Sequence, residues 1–149
     1  MNIEFVPFER SDCEDLTAMI KSLYKQDPEG EKMNELKINN TIDHLLTFPA
    51  SGNILMIKTD KRNIGYSIII NYWSNEYGGN IIFLDELYIR PECRNQKTGT
   101  GFLKWLITKR FNNCKAILLE TLPSNLKALE FYKKSGFSVS ERKNLIFIT

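Results

Sequence analysis

The stretch from Leu84 to Leu103 (LDELYIRPECRNQKTGTGFL) holds the residues whose order points most directly to a chemistry. It begins as an apolar strand, continues through a polar loop, and enters a helix near Gly99 and Gly101. A helix N-terminus presents backbone N–H groups without intrahelical partners and the positive end of the helix dipole. Such a strand–loop–helix unit can hold a pyrophosphate. The alternative is that the two glycines only form a loop before a helix.

A second segment, NLKALEFYKKSGF at 125–137, reads as a helix that is capped by Ser124 or Asn125 and followed by Gly136 at its C′ position. This helix carries Tyr132, whose phenol has an ordinary pKa of about 10 and is protonated at neutral pH. It could place a phenol beside whatever is attached to the pyrophosphate. The alternative role for Tyr132 is packing in a half-buried position.

The remaining sequence predicts the elements that must position these two segments. Ser11 and Glu14 form a capping box ahead of apolar residues at helical spacing, and the Asp27-Pro28 turn ends that helix. Further helices are predicted near 32–46, 99–111 and 125–135, and strands at 3–6, 53–58, 64–71, 81–89, 116–120, 137–140 and 145–148. We therefore expect a single α/β (α+β) domain over residues 1–149, with a mixed, mostly antiparallel sheet of about seven strands and four helices on both faces.

Composition excludes several classes of protein. The chain has 149 residues, 42% of them hydrophobic and 26% charged, with a formal net charge of +2. That charge is too small to argue for nucleic acid, and no apolar run approaches the roughly 20 residues that span a bilayer. Three scattered cysteines and a single histidine give no disulfide or metal-ligand pattern. The N-terminus has no signal-peptide pattern, so we expect a cytoplasmic protein without a metal.

The two segments together resemble the GCN5-related N-acetyltransferase (GNAT) superfamily. The family's loop motif is Arg/Gln-x-x-Gly-x-Gly/Ala, and a gapless alignment starting at Arg94 puts Lys97 at its first glycine and Gly99 at its second. A register shifted by two, from Gln96 to Gly101, satisfies the motif but lengthens the loop. The family's later motif, Asn-x-x-Ala-x-x-Phe-Tyr-x-x-x-Gly-Phe, is matched at Asn125, Ala128, Phe131, Tyr132, Gly136 and Phe137.

The resemblance implies that acetyl-CoA (coenzyme A carrying the acetyl group) is the co-substrate and that no metal is needed. It implies pairing of the pantetheine arm with the backbone of Leu87, Tyr88 and Ile89, near a bulge that splays the sheet. Asn125 would contact the cofactor arm, although it is equally suited to be a helix N-cap. The pyrophosphate would be held by Arg94, Asn95, Gln96, Lys97, Thr98, Gly99, Thr100 and Gly101.

The resemblance also implies direct attack by an amine on the thioester in a ternary complex. Tyr132 is then the candidate general acid for the departing thiolate, and Asp85 or Glu86 is the candidate base for the protonated amine. Strand alternation sends these two carboxylates to opposite faces, and a bulge would change which one lines the cleft. The fragment LDELYI is similar to LEDFFV of spermidine/spermine acetyltransferases, which favours Asp85. Either carboxylate could instead be a surface residue.

The SNEYGG turn and the preceding Trp73 provide a candidate acceptor site. Glu76 offers a charge to a cationic amine, and Tyr77 and Trp73 offer cation–π contacts. The alternative is a tight turn with solvated residues. We expect a small-molecule amine, diamine or polyamine as partner, no nucleic acid, no membrane, and a homodimer as one option. The rival functions are acetylation of a protein N-terminus or lysine, and a non-catalytic acetyl-CoA sensor.

Overall fold

A five-stranded sheet in the order β1-β2-β3-β4-β5 forms the framework of this computed structural model, which describes residues 2–27, 30–109 and 113–149. The first four strands are antiparallel to their neighbours, and β5 is parallel to β4. The strands are β1 Ile3–Pro7, β2 Gly52–Thr59, β3 Arg62–Ser74, β4 Gly79–Ile89 and β5 Ala116–Leu118. The helices are α1 Cys13–Lys25, α2 Glu35–Thr47, α3 Thr98–Lys109 and α4 Leu126–Lys134.

The helices cover both faces of the sheet and create two separate cores. Helices α1 and α2 bury residues at helical spacing, among them Leu16 and Ile42, against Tyr66, Ile68 and Tyr88 of the sheet. Helix α3 buries Phe102, Leu103 and Leu106 against the other face, where α4 also packs. The predicted mixed sheet with four helices on two faces is confirmed. Each face of the sheet can therefore supply its own set of side chains to a site.

The number of strands is five among the described residues, instead of the expected seven. Residues 137–149 contain no strand, and Leu145 is 97% exposed. Two side-chain contacts connect this segment to the rest of the fold. Arg142 pairs with Glu76 at 2.7 Å, and the Asn144 amide donates to Glu120. Strand β5, at the edge of the sheet, has three residues.

Two further expectations about helices need correction. The capping box lies at Glu9 and Asp12 instead of Ser11 and Glu14, and a short 3₁₀ turn at 10–12 precedes α1. Ile107 of α3 was expected to face the core and is 42% exposed, since it lies beside an open groove between α3, β5 and the end of α4. The predicted end of α3 at 110–111 lies outside the described residues.

Candidate active site

A β-bulge in the middle of β4 sets the position of the two adjacent carboxylates. Glu86 lies opposite Ile68 of β3, and Leu84 lies opposite Ile69, so Asp85 is the extra residue with no partner in the register. Ser67 fixes this place further, because its hydroxyl donates to the Glu86 carbonyl oxygen at 2.9 Å. A bulge breaks the alternation of side chains along a strand. The expectation that Asp85 and Glu86 point to opposite faces is therefore wrong.

Glu86 is a buried carboxylate held by two tyrosines. Tyr24 of α1 donates to its Oε1 at 2.6 Å, and Tyr66 of β3 donates to its Oε2 at 2.7 Å. Burial raises the pKa of the Glu86 carboxyl, the negative charge of Asp85 adds to this rise, and the two phenols act against it. A carboxylate with a raised pKa is a stronger base than an ordinary one, which is the property that a general base needs.

Asp85 lies on the same face of the sheet and borders an open groove of about 420 Å³. The groove runs between α2, with His44 and Leu45, and the β3 residues Ile68 and Ile70. Burial and the negative charge of Glu120 raise the pKa of Asp85. The groove thus combines an anionic side chain with apolar walls, which suits a cationic group attached to an aliphatic chain.

The edge of β4 is open on the side of β5 beyond the bulge. Strand β5 pairs with β4 only at 81–83, so in the described chain Leu87, Tyr88 and Ile89 have no strand neighbour on that side. A free strand edge can pair with an extended polar ligand through its backbone groups. The Ile89 carbonyl oxygen already accepts a hydrogen bond from Arg94 Nε at 2.8 Å, which ties the loop that follows to the end of the strand.

The loop between β4 and α3 contains two non-glycine residues in the left-handed backbone region. Asn95 has φ of 63° and Lys97 has φ of 62°. Glycine adopts this conformation without the steric cost that a Cβ imposes. Lys97 thus has the backbone conformation of a glycine at the position where the gapless alignment expects one. Helix α3 begins directly after it, at Thr98.

The first turn of α3 fits an anion. Thr98 is 2% exposed, and its Oγ1 is buried without a hydrogen-bond partner. Buried hydroxyls are normally hydrogen-bonded, so this atom is available to an acceptor oxygen of a ligand. The Arg94 guanidinium lies 5.5 Å from the centre of the Tyr88 ring, at the start of the same loop. A buried donor, a cation and a helix N-terminus together are the groups that a pyrophosphate needs.

Gly99 brings α3 close to α4. A Cβ at this position would lie 3.1 Å from Phe131 Cζ and 3.4 Å from Ile89 Cδ1. Gly101 is less restricted, because its Cβ would only meet Phe5 Cζ at 3.9 Å. Thr100 and Gln96 are the remaining loop residues named by the sequence, and Gln96 donates to the Glu92 carbonyl oxygen at 3.3 Å. The close approach at Gly99 links the loop directly to the helix that carries Tyr132.

Tyr132 packs in the core on the α3 and α4 side of the sheet. Its ring centre lies 5.1 Å from that of Phe131 and 5.7 Å from that of Phe137. Burial raises the pKa of its phenol to about 12, so the group remains protonated at neutral pH. At the start of α4, the Asn125 side chain accepts a hydrogen bond from Ala128 N at 3.1 Å, which is the N-cap role.

The predicted acceptor residues lie apart from the two carboxylates. Trp73 lies near the end of β3, and Glu76 and Tyr77 lie in the turn between β3 and β4. Trp73 is 72% exposed and Tyr77 is 47% exposed. From the start of β4 to Asp85 is a distance of roughly 20 Å along the strand. Glu76 is paired with Arg142. The structure does not bring this turn to the bulge.

The two partners of Glu86, Tyr24 and Tyr66, are not among the site residues that the sequence predicts. A usable signal existed for Tyr24, which follows Leu16 and Ile20 at intervals of four residues and so shares their buried face. A phenol on a buried helical face needs a polar partner. Tyr66 lies in an uninterrupted run of buried strand residues, and nothing in that run distinguishes it.

The described residues contain neither a metal-type cluster of side chains nor a helix of membrane-spanning character. No group of three or more His, Cys, Asp or Glu side chains with the geometry of a metal site occurs in the described ranges. In the same ranges, no helix has both the length and the apolar character needed to cross a bilayer.

Comparison with known proteins identifies relatives across most of the chain. The profile described as the Acetyltransferase (GNAT) family matches residues 16–137. An uncharacterized N-acetyltransferase of Methanocaldococcus jannaschii is 39% identical over 80 residues, which is 52% of this chain and 47% of that protein. The match therefore spans about half the length of that relative. Thialysine N-epsilon-acetyltransferase of Mus musculus is 29% identical over 142 residues, covering 85% of this chain and 78% of that protein.

Solved structures share the same fold. A possible acetyltransferase from Clostridium difficile 630 superimposes with a TM-score of 0.86 at 15% identity, over 100% of this chain and 99% of the other. An integron cassette protein from the mobile metagenome of Cole Harbour Salt Marsh gives a TM-score of 0.81 at 23% identity, over 97% and 89% of the two chains. At these identities the likeness concerns the fold.

Proposed function

Because this chain belongs to the GNAT family of acetyltransferases, we propose that it transfers an acetyl group from acetyl-CoA to the primary amine of a small cationic molecule. The observation that carries the proposal is the arrangement of β4. The strand holds a buried carboxylate at its bulge, offers an open backbone edge after it, and is followed by a loop that leads into the N-terminus of α3. These three features provide a base, a place for an extended ligand, and a place for its pyrophosphate.

The residues that hold acetyl-CoA in this proposal follow from the geometry around β4. The first turn of α3 and the Thr98 hydroxyl bind the pyrophosphate, with Arg94 and Lys97 supplying positive charge. The backbone of Leu87 to Ile89 aligns the pantetheine arm, and Asn125 lies at the start of the neighbouring helix. Bound acetyl-CoA supplies the thioester carbon that the amine attacks. Holding it beside the amine lowers the barrier by removing the entropy cost of encounter.

Glu86 and Tyr132 handle the protons in this proposal. Amines of this class have a pKa near 10 and arrive protonated, so Glu86 takes a proton before attack. Tyr132, whose pKa is raised to about 12, stays protonated and donates to the sulfur that leaves. The two act from opposite faces of the sheet, since Glu86 lies on the α1 and α2 side and Tyr132 on the α3 and α4 side.

The acceptor is proposed to occupy the groove between α2 and β3. Asp85 attracts a cation there, and Leu45, Ile68 and Ile70 accommodate its aliphatic part. The name of the murine relative gives the ε-nitrogen of thialysine as the acetylated atom, which supports a terminal amine on a short chain as the acceptor class. Trp73, Glu76 and Tyr77 form a second candidate contact for longer amines, at the far end of β4.

The test is release of coenzyme A from acetyl-CoA with a panel of acceptors. The panel contains thialysine, lysine, diamines, polyamines, aminoglycosides and short peptides, with hydrolysis in the absence of acceptor subtracted. We expect saturable release with one class of small terminal amine and an acetylated product of matching mass. Release only with peptides would support a protein acetyltransferase instead, and binding of acetyl-CoA without release would support a sensor.

The sensor remains the second candidate because of one observation. Lys97 occupies a left-handed backbone position, and its Cβ limits the close approach of a phosphate to the loop backbone. Weakened or altered cofactor geometry would allow binding without turnover. If the wild type binds acetyl-CoA without turnover and the Lys97→Gly variant shows turnover, this second candidate is favoured.

A further inference from the structure

Access to the Glu86 carboxylate is restricted by its two hydrogen-bond donors. The residue is 9% exposed, and each of its oxygens already accepts a hydrogen bond from a phenol. The two donors differ in their surroundings. Tyr66 is 0% exposed and stacks on Tyr88 within the core, whereas Tyr24 is only partly buried at the C-terminal end of α1. Of the two donors bonded to Glu86, Tyr24 is the one that solvent or a substrate can reach.

We propose that Tyr24 relays the proton between the acceptor amine and Glu86, and is therefore a catalytic residue of this reaction. The inference rests on the proposed acetyl transfer. In the step, an ammonium N–H bond breaks and a new O–H bond forms on Tyr24 Oη. The original Tyr24 O–H bond breaks in the same event, and that proton binds Glu86 Oε1. The amine is left neutral, Tyr24 is unchanged, and Glu86 is neutralised.

The distances and charges around Tyr24 fit a relay in which both transfers occur together. Its oxygen lies 2.6 Å from Glu86 Oε1, the ordinary length of a charge-assisted O–H···O bond, and this contact allows direct proton transfer. Burial, the hydrogen bond to Glu86 and the charges of Glu86, Asp85 and Asp27 all raise the pKa of Tyr24. The phenol therefore does not lose its proton by itself, and it can accept a second proton only as it passes the first one on.

The charged and titratable groups that act on Glu86 come from three elements. Tyr24 belongs to α1, Tyr66 to β3, and Asp85 to β4. Both phenols stabilise the ionised carboxylate, so removal of either one raises the pKa of Glu86. Tyr24 and Tyr66 thus shift the pKa of Glu86 in the same direction, and they differ in exposure, since Tyr24 is partly buried and Tyr66 is fully buried.

The experiment compares Tyr24→Phe with Tyr66→Phe, and uses Tyr72→Phe, an exposed tyrosine on β3, as the control. The pH dependence of kcat/KM is measured with the amine that the acceptor panel identifies. Both test variants are expected to move the acidic limb to higher pH by about one unit. On the plateau above that limb, Tyr72→Phe is expected to match wild-type turnover. Tyr24→Phe is expected to stay at least tenfold below Tyr66→Phe, with an unchanged KM for acetyl-CoA.

A further variant and a direct titration distinguish loss of the relay from misfolding and from other causes of lost activity. Fluorotyrosine at position 24 keeps the shape and the hydroxyl, and is expected to keep plateau turnover while moving the acidic limb to lower pH. Carbon-13 NMR of labelled glutamate in the unliganded protein follows the titration of Glu86 directly in each variant. A raised pKa of Glu86 in Tyr24→Phe is expected there.

The outcomes separate the two proposals. If the wild type acetylates an amine and Tyr24→Phe matches Tyr66→Phe on the plateau, the relay is overturned and the proposed function stands. An unshifted Glu86 titration in Tyr24→Phe likewise overturns the relay. If the wild type acetylates no amine, the proposed function fails and the relay fails with it.

Discussion

Asp85 and Glu86 are neighbours in the sequence, and both side chains lie on the face of the sheet that α1 and α2 cover. The bulge at Asp85 makes this possible, because it adds one residue to β4 without a counterpart in β3. The two carboxylates have different surroundings. Glu86 is held between two phenols, whereas Asp85 borders an open groove. In the function proposed above, this difference is the reason to propose Glu86 for proton transfer and Asp85 for attraction of a cation.

Substitution Asp85→Asn is expected to stabilise the fold at neutral pH. The pKa of Asp85 is raised in the folded protein by burial and by Glu120, so the folded state binds the proton more tightly than the unfolded state. Stability therefore falls as pH rises from the ordinary pKa of about 3.9 to the raised value, and the loss persists above it. The gain is expected to stay below about 1 kcal/mol, because water screens a partly exposed group.

The measurement is the melting temperature of wild type and Asp85→Asn between pH 3 and pH 8. The difference should vanish at the acidic end and reach its full size above the raised pKa. Glu120→Gln serves as a control, since it removes a repulsive charge and should reproduce part of the gain. The raised pKa of Asp85 would be contradicted if the stability of Asp85→Asn, expressed as a difference from wild type, were lower at pH 7 than at pH 3.

Substitution Tyr132→Phe is expected to lower kcat by about 100-fold, the lower end of the usual effect of a general acid. The phenol ring packs between Phe131 and Phe137, and phenylalanine keeps those contacts. Affinity for acetyl-CoA, measured by calorimetry, is therefore expected to change little. Unchanged turnover would remove Tyr132 from the mechanism and leave it a packing role.

Substitution Gly99→Trp is expected to abolish binding of acetyl-CoA. Even a Cβ at this position meets Phe131 Cζ at 3.1 Å, so an indole must displace α4 or fill the loop where the pyrophosphate binds. Binding is measured by calorimetry, and circular dichroism checks that the fold persists. Gly99→Ala and Gly101→Ala form a matched pair for stability. Only the first should destabilise the protein, because Gly101 has room for a methyl group.

The sequence predicted the framework well where the pattern of residues is local. The alternating strands and the helices with apolar faces appear at their expected places, because burial of one face determines each of them. The prediction of a C-terminal hairpin was wrong, since residues 137–149 contain no strand and apolar residues such as Leu145 and Phe147 are exposed. Trp73, Glu76 and Tyr77 remain a prediction for the acceptor contact.

The site was predictable in its parts but not in its arrangement. Carboxylates at 85 and 86, the loop and Tyr132 are visible as residue types at set spacings. The bulge is not visible in the sequence, because it arises from the pairing of β4 with β3 and the residues of one strand alone do not indicate it. The contacts of Glu86 with Tyr24 and Tyr66 span 62 and 20 residues of sequence. Such contacts form only when helix and sheet have packed.

Substitution Lys97→Gly is expected to stabilise the fold by about 1 kcal/mol, since it relieves a left-handed backbone that costs non-glycine residues about that much. Lys97→Ala removes the same charge but keeps the strain, so the difference between the two variants isolates the conformation. Chemical denaturation measures stability, and titration with acetyl-CoA at two salt concentrations measures the contribution of charge. If Lys97→Gly and Lys97→Ala were equally stable, the left-handed backbone at position 97 would carry no measurable strain.

Substitution Asp12→Asn is expected to destabilise the fold by about 3 kcal/mol. Asp12 is 4% exposed and accepts hydrogen bonds from Lys58 Nζ at 2.8 Å, Asn63 Nδ2 at 3.0 Å and Glu9 N at 3.0 Å. An amide at this position leaves the Lys58 ammonium without its counter-charge in a largely buried setting, and loss of one partner of such a pair is costly. The exposed pair of Asp43 with Arg10 offers a matched control, and Asp43→Asn should cost less than about 1 kcal/mol.

The pH dependence of stability gives an independent check on Asp12. Burial acts to raise its pKa, but the hydrogen bonds from Lys58, Glu9 and Asn63 outweigh burial and lower it. A carboxylate with a lowered pKa in the folded state stabilises the protein above its ordinary pKa of about 3.9, and this stabilisation is lost as pH falls through the lowered value. Wild type should therefore lose stability in acid more steeply than Asp12→Asn. Parallel acid-denaturation curves for the two proteins would show that Asp12 contributes packing alone, without its charge.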